Sequence, residues 1–386
     1  MFICSKFALR GALMAAASWA MAGLGAAFAG QNPLVPTALK TIPISPSTAG
    51  SIWPAVNTKT NRVYVANLGA SFYDQYPGGA SVTVIDSATD TIIDTIPIPV
   101  IYTNLYTPPG PSQIAIDDDT NTLYVLTNHG AIAVVDGATD AVTSYFIVDT
   151  NMSGVDPFST RAIVRSRKTG KLYVSLSTVE IDVIDPEKQT VLKRIPNLAA
   201  GPLSIDQSLN RIYTSANSPP GTFNGVMVID GDSDEVKTII PTFAYGLEGS
   251  AVDEELHHLY ILGEGNFTPS ESNGGFVTID TKTDTVINST NAWASAYSGY
   301  GVDIDPVNHG VYALSDLSSL LTVVDGRTGQ PVAYNIQIGP QYEPQNLAVN
   351  WTNGKIYVAD FGLGAYPQYG SPAPSEIFVL QLPGAN

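Results

Sequence analysis

Sulfur, histidine and charge are all scarce in this chain of 386 residues. Its single cysteine, Cys4, stands at the extreme N-terminus, so the rest of the chain forms no disulfide and offers no thiolate as nucleophile or metal ligand. The four histidines are His129, His257, His258 and His309, and without cysteine or a third neighbouring histidine they support no zinc site. Only 14% of residues are charged, where about a quarter is usual for a soluble domain. Basic residues are the rarer sign: Lys+Arg number 18 against 35 Asp+Glu, a formal charge of −17. Phosphate recognition needs clustered Lys and Arg, so this balance argues against nucleic acid and anionic lipid as partners. Also missing are a Gly-Lys-Ser/Thr phosphate loop, a Gly-x-Ser-x-Gly nucleophile elbow and a His-Glu-x-x-His zinc helix. No helical period runs through the chain after residue 29, and no segment there is long and apolar enough to span a bilayer.

Residues 1–29 read as a secretory signal. Lys6 and Arg10 form a positive start, Gly11 to Ala26 is an uncharged Ala/Leu/Met-rich run, and Ala27-Phe28-Ala29 is a small-x-small cleavage site. The expected mature chain, 30–386, is a single domain without a membrane span and carries a formal −19, because the signal holds two basic residues and no acidic one. The Ala-rich signal points to the bacterial periplasm or the cell exterior.

What the chain does have is an internal repeat. A β-branched or Leu residue precedes Tyr and a small or apolar run at Tyr64, Tyr124, Tyr173, Tyr213, Tyr260, Tyr312 and Tyr357, spaced 60, 49, 40, 47, 52 and 45 residues apart. A β-branched pair and Asp follows each of the first six, from Val84-Ile85-Asp86 through Thr278-Ile279-Asp280 to Val323-Val324-Asp325. A third landmark precedes each Tyr, as in Ile114-Ala115-Ile116-Asp117. The apolar residues are mostly β-branched or aromatic, the runs are short, and Asn, Asp, Gly and Thr stand between them. Four strands every 40–60 residues predict an all-β, seven-bladed propeller of four-stranded antiparallel blades. With 34 Gly, 27 Pro and 19 Tyr, composition agrees with turns and strands.

The seventh unit stops at its third strand, Ile377-Phe378-Val379-Leu380. Ala38 to Ile44 matches Ile92 to Ile98, the fourth strand of the first unit. The N-terminal strand is therefore expected to complete the last blade, which leaves no open edge at the seam. Tyr-Val-Ala-Asn at 64–67, the Val-Ile-Asp repeats and Thr-Ile-Pro at 95–97 resemble the YVTN-type β-propeller repeat family, over about residues 37 to 382. The resemblance implies a seven-bladed fold and a secreted or surface-layer protein of bacteria or archaea. It carries over no catalytic residue.

A propeller has two rims, and the turns on one of them are uniformly short here. The long connections fall on the other rim and bring aromatics with Gly, Pro, Ser and Asn, among them Tyr102, Tyr106, Trp293, Tyr297 and Phe361. Aromatics set among such residues suit binding, since a ring gives contact area at low entropy cost. The start of each innermost strand should line the channel mouth on that rim: Trp53, Gln113, Arg161, Pro202, Glu248, Tyr300 and Gln345 or Asn346. Arg161 is the candidate for a ligand carboxylate or phosphate, or for an ion pair with Glu248. Asp117, Asp206, Asp253 and Asp305, with Asn57 and Asn350, recur at one blade position and read as turn caps rather than a ring around a cation. His257 and His309 read as turn residues.

Two main functional classes follow, with a propeller subunit of a redox complex as a third option for which the chain has no haem or thiol motif of its own. The first is a monomeric, non-enzymatic binding or interaction scaffold of the cell envelope, holding a glycan, peptide or envelope protein on the aromatic rim and needing no cofactor. The second is a metal-dependent propeller enzyme, lactonase- or lyase-like, in which Glu248, Asn346, Gln113 and Asn104 would hold a divalent cation.

Overall fold

The chain was analysed as a computed structural model, which describes residues 32–44, 50–69, 79–99, 110–128, 130–148, 162–175, 180–196, 201–217, 224–242, 245–264, 275–290, 301–315, 319–339, 344–362 and 375–383. The expected signal, 1–29, lies outside these. Twenty-eight strands form seven four-stranded antiparallel sheets, and the innermost strand of each sheet touches that of the next until the seventh meets the first. This is a closed seven-bladed β-propeller. No helix among the described residues is long and apolar enough to cross a membrane.

The blades begin at their innermost strands: Ser51–Asn57, Pro111–Asp117, Ala162–Arg165, Leu203–Asp206, Tyr245–Asp253, Gly301–Asp305 and Pro344–Asn350. In the seventh blade the outermost strand is Thr37–Pro43, paired antiparallel with Glu376–Gln381. The N-terminal strand thus closes the ring. Its exposure pattern along the strand repeats that of Thr91–Pro97, the outermost strand of blade 1.

Alternating apolar residues put one face of each sheet against each neighbour, and the core is divided accordingly. Seven apolar clusters stand at the seven blade junctions, each drawing from two adjacent blades. A single blade could not bury both faces; the stack does.

The repeated polar residues explain the turns. In the turn between third and outermost strands, the closing Asp accepts amides two or three residues on, as Asp86 does from Ala88 (2.7 Å) and Asp185 from Lys188 (3.0 Å). The last turn residue is left-handed: Asp90, Asp140, Gln189, Asp234 and Asp284 have φ between 53° and 58°. Asn, Asp and His tolerate that region better than most side chains. The same conformation in the turn after the innermost strand explains His257 and His309, at φ 56° and 58°.

Each landmark Tyr is buried and points to the next blade. Tyr357 donates to Asp90 Oδ1 at 2.7 Å, Tyr173 to Asp234 Oδ1 at 2.6 Å and Tyr260 to the Gly326 carbonyl at 3.0 Å. At four junctions a cation two residues before the Tyr pairs with the same turn: Arg62–Asp140, Lys171–Asp234, Arg211–Asp284 and Lys355–Asp90.

Candidate functional site

A channel of about 650 Å³ runs along the innermost strands. Its levels follow from register, because each innermost strand pairs with the second strand in the same way. Trp53 is opposite Ala66, Gln113 opposite Leu126 and Asn346 opposite Ala359, in each case two residues beyond the landmark Tyr. These three share one level near the long-connection rim and line the channel. They come from blades 7, 1 and 2, which are neighbours. At that level blade 3 carries Ala162, blade 5 Gly249 and blade 6 Gly301. Among the described residues at this level, a shelf of large side chains therefore stands on blades 7, 1 and 2, and small residues on blades 3, 5 and 6.

The shelf is held in place. Gln113 is 4% exposed, and its Oε1 accepts the Ile163 amide of the next blade at 2.5 Å. Asn346 is equally buried, and its Oδ1 accepts the Leu347 amide at 2.7 Å. It leans on Gly301, where a Cβ would stand 3.1 Å from its Oδ1. Trp53 is half-buried beside the cluster between blades 1 and 2.

The other expected site residues are placed as follows. Gln345 precedes Asn346 and is half-buried. Glu248 is placed by its backbone alone, in the innermost strand of blade 5. Phe361 is 5% exposed, packed on Leu68 and Ile52, with Gly50 against its ring. Arg161, Tyr300, Tyr102, Tyr106, Trp293, Tyr297 and Asn104 lie outside the described residues.

The residues that recur at the far end of each innermost strand are occupied. Asp117 accepts the Asp119 amide, Asp206 that of Leu209, Asp253 that of Glu255 and Asp305 that of Val307. Most also reach the next blade: Asn57 to Asn121 (2.7 Å), Asp117 to Arg165 (2.8 Å), Ser166 to Asn210 (2.6 Å), Asp206 to Thr281 (2.7 Å), Asp253 to His309 (2.6 Å) and Asn350 to Ser87 (2.8 Å). Among the described residues no group of three His, Cys, Asp or Glu is placed to hold a metal ion. At this end of the channel Arg167 lies 3.3 Å from Asp118 and 3.9 Å from Glu254, and burial raises the pKa of both carboxyls.

Sequence reasoning missed Asp303. The residues opposite the landmark tyrosines are Ala55, Ala115, Val164, Ser204, Ala251, Asp303 and Ala348, and all seven line the channel. Asp303 is the one ionisable member of that ring. Its Oδ1 accepts its neighbour's amide, Ile304, at 2.9 Å, and its Oδ2 accepts Val349 of blade 7 at 2.8 Å. Burial pushes its pKa up to about 6, against the opposing pull of those two amides. The signal was present in Val302-Asp303-Ile304-Asp305, set beside Ile114-Ala115-Ile116-Asp117: one carboxyl in a column of small residues.

Among solved structures, the fold is similar to a chain of Kuenenia stuttgartiensis hydrazine synthase. The TM-score is 0.66 at 15% identity, over 89% of this chain and 98% of that one. No protein-family model matches the chain, and no curated protein matches it. At so low an identity the likeness concerns the seven-bladed propeller alone, and the chemistry has to come from this chain's own channel.

Proposed function

We propose that this is an exported YVTN-type propeller of the periplasm or cell surface that acts as a binding module, with its site at the channel mouth on the long-connection rim. The observation that carries this reading is the division of labour among polar side chains. Repeated ones (Tyr, turn Asp, and the Arg or Lys beside the Tyr) are tied in blade-to-blade bonds at several junctions, as at Tyr357, Tyr173, Arg62, Lys171, Arg211 and Lys355. Gln113, Asp303 and Asn346, polar residues that do not repeat, line the channel with Trp53, and Gln113 and Asp303 each also accept an amide of the next blade. A rigid ring presenting one asymmetric mouth suits recognition of a group offered by a glycan, peptide or envelope protein.

The metal-dependent alternative asks Gln113 and Asn346 to supply ligand oxygens. Those oxygens already accept the amides of Ile163 and Leu347, so a cation would have to displace an amide from each or share the oxygen. The test is the melting temperature of the full chain with saccharides, with peptides, and with Ca²⁺, Mg²⁺ or Zn²⁺ before and after EDTA. A ligand that binds only the native state raises the midpoint by mass action. The binding reading expects a shift with an organic ligand that Trp53→Ala removes. A divalent-ion shift reversed by EDTA, with no organic ligand active, would transfer the case to the enzyme.

A further inference from the structure

We propose that the channel takes up a small organic cation, an alkylammonium group, whose charge pairs with the Asp303 carboxylate while its carbon chain lies against the Ala and Val side chains around it. This rests on the channel being the binding site, and it names the class of group that the site receives.

A carboxylate offers about four acceptor positions. The Ile304 and Val349 amides take one on each oxygen, so acceptor capacity remains on both. Among the described residues Asp303 has no Lys, Arg or His partner; its bonds are those to the two amides. A half-buried carboxylate without a counter-charge is unfavourable, and an entering cation relieves that cost. The two amides also favour the ionised carboxylate, against the burial that raises its pKa. The formal −17 of the chain raises the local concentration of cations further.

The surroundings choose between kinds of cation. Ca²⁺ takes about six to eight oxygen ligands and Mg²⁺ an octahedron of them. At the level of Asp303 the other blades supply four Ala, Val164 and Ser204, and the Ser204 hydroxyl is bonded to Ser250 (2.6 Å to Oγ). One carboxylate among methyl groups matches an N–H donor with a hydrocarbon tail and lacks the oxygen shell of a hard metal ion. The Trp53 ring, half-buried at the mouth level, offers a face that attracts an organic cation on its way in.

The test is titration of the full chain with n-butylammonium chloride, read by intrinsic tryptophan fluorescence and by melting temperature. Sodium butyrate and sodium chloride at equal ionic strength serve as controls. Trp53 and Trp351 both line the channel, so the emission reports on it. The expected result is a saturable butylammonium response, absent with either control and at least tenfold weaker in Asp303→Asn and Asp303→Ala. The alanine variant should fold, because four of the seven blades already carry Ala at that position. An undiminished response in both variants, an equal response to sodium, or no saturable response overturns the proposal. A saccharide or peptide shift that depends on Trp53 but ignores Asp303 would leave the binding-module reading intact and remove only the ammonium inference. Loss of every organic response would remove both.

Discussion

Asp303 shows how one side chain departs from a repeat. Its carboxyl titrates near 6 because burial disfavours the charged form, whereas an unfolded Asp titrates near 3.9. A raised folded pKa means that the folded state holds the proton more tightly. The resulting stability is full below about pH 3.9 and is lost as pH rises through about 6. Two units correspond to at most about 3 kcal/mol. Chemical denaturation of the wild type and Asp303→Ala at pH 4 and pH 8 should therefore diverge. The wild type is expected to lose roughly 1–3 kcal/mol relative to the variant over that interval, and parallel pH profiles would refute the assignment. At the seam between blades 7 and 1, Asp90 accepts from both Lys355 and Tyr357. Tyr357→Phe should cost about 1–3 kcal/mol, because it removes a hydrogen bond to a buried, charged carboxylate whose Oδ1 still accepts from Lys355. Asp90→Ala should cost more, about 3–5 kcal/mol, because it leaves the buried Lys355 ammonium unpaired. Equilibrium unfolding in urea measures both, and the expected order is the stronger claim.

At the scale of the element, the turn between third and outermost strands works as a socket. Its first residue is Gly at 137, 231 and 326, where the tyrosine of the preceding blade ends on the carbonyl, and Ser at 87, which the Tyr357 hydroxyl also reaches. A Cβ at Gly326 would collide with the Tyr260 hydroxyl and stand 2.9 Å from the His309 carbonyl. Gly326→Ala should therefore destabilise by about 1–3 kcal/mol through overpacking. Gly170→Ala is the informative contrast. It has open space around the added methyl, so only its left-handed φ of 72° opposes the change. Melting curves of the two variants would separate crowding from backbone conformation. If both lose the same stability, the socket is not what selects glycine at 326.

The ring as a whole depends on its seam. Thr37–Pro43 supplies the last strand of blade 7, and Leu34, Val35, Ile42 and Ile44 are each no more than 5% exposed. Four such side chains at about 2 kcal/mol each amount to roughly 8 kcal/mol, comparable to the whole stability of a typical domain. Deleting residues 32–44 would also open the edge of Glu376–Gln381. The expected outcome is a chain that associates or fails to fold, seen by size-exclusion chromatography and circular dichroism. A monomeric deletion variant with the native melting temperature would contradict the seam.

Strand content, blade number and the closing N-terminal strand were legible because they repeat. A period-2 pattern with turn residues at fixed offsets needs only local chemistry, and seven copies of it leave one economical way to bury both faces of every sheet. The turn role of Asp117, Asp206 and Asp253 was legible for the same reason. The level of Trp53, Gln113 and Asn346 could be anticipated from the starts of the innermost strands, whereas their gathering on blades 7, 1 and 2 required the ring to close, which makes the last blade a neighbour of the first. That tyrosines such as Tyr64, Tyr173, Tyr260 and Tyr357 serve as latches also lay beyond the linear pattern, since their partners stand a blade away, as Asp90 does from Tyr357 across 267 residues. Asp303 is the clearest case. Its neighbours in sequence make it one more polar residue of a strand, but its burial and its bond to the Val349 amide of the next blade exist only in the folded ring. The sequence by itself determined the repeat, the turns and the closure, because these follow from neighbours along the chain. Only the tertiary structure decided which polar residues became latches and that a carboxyl stands in the ring opposite the landmark tyrosines, because burial and charge pairing are properties of the closed ring.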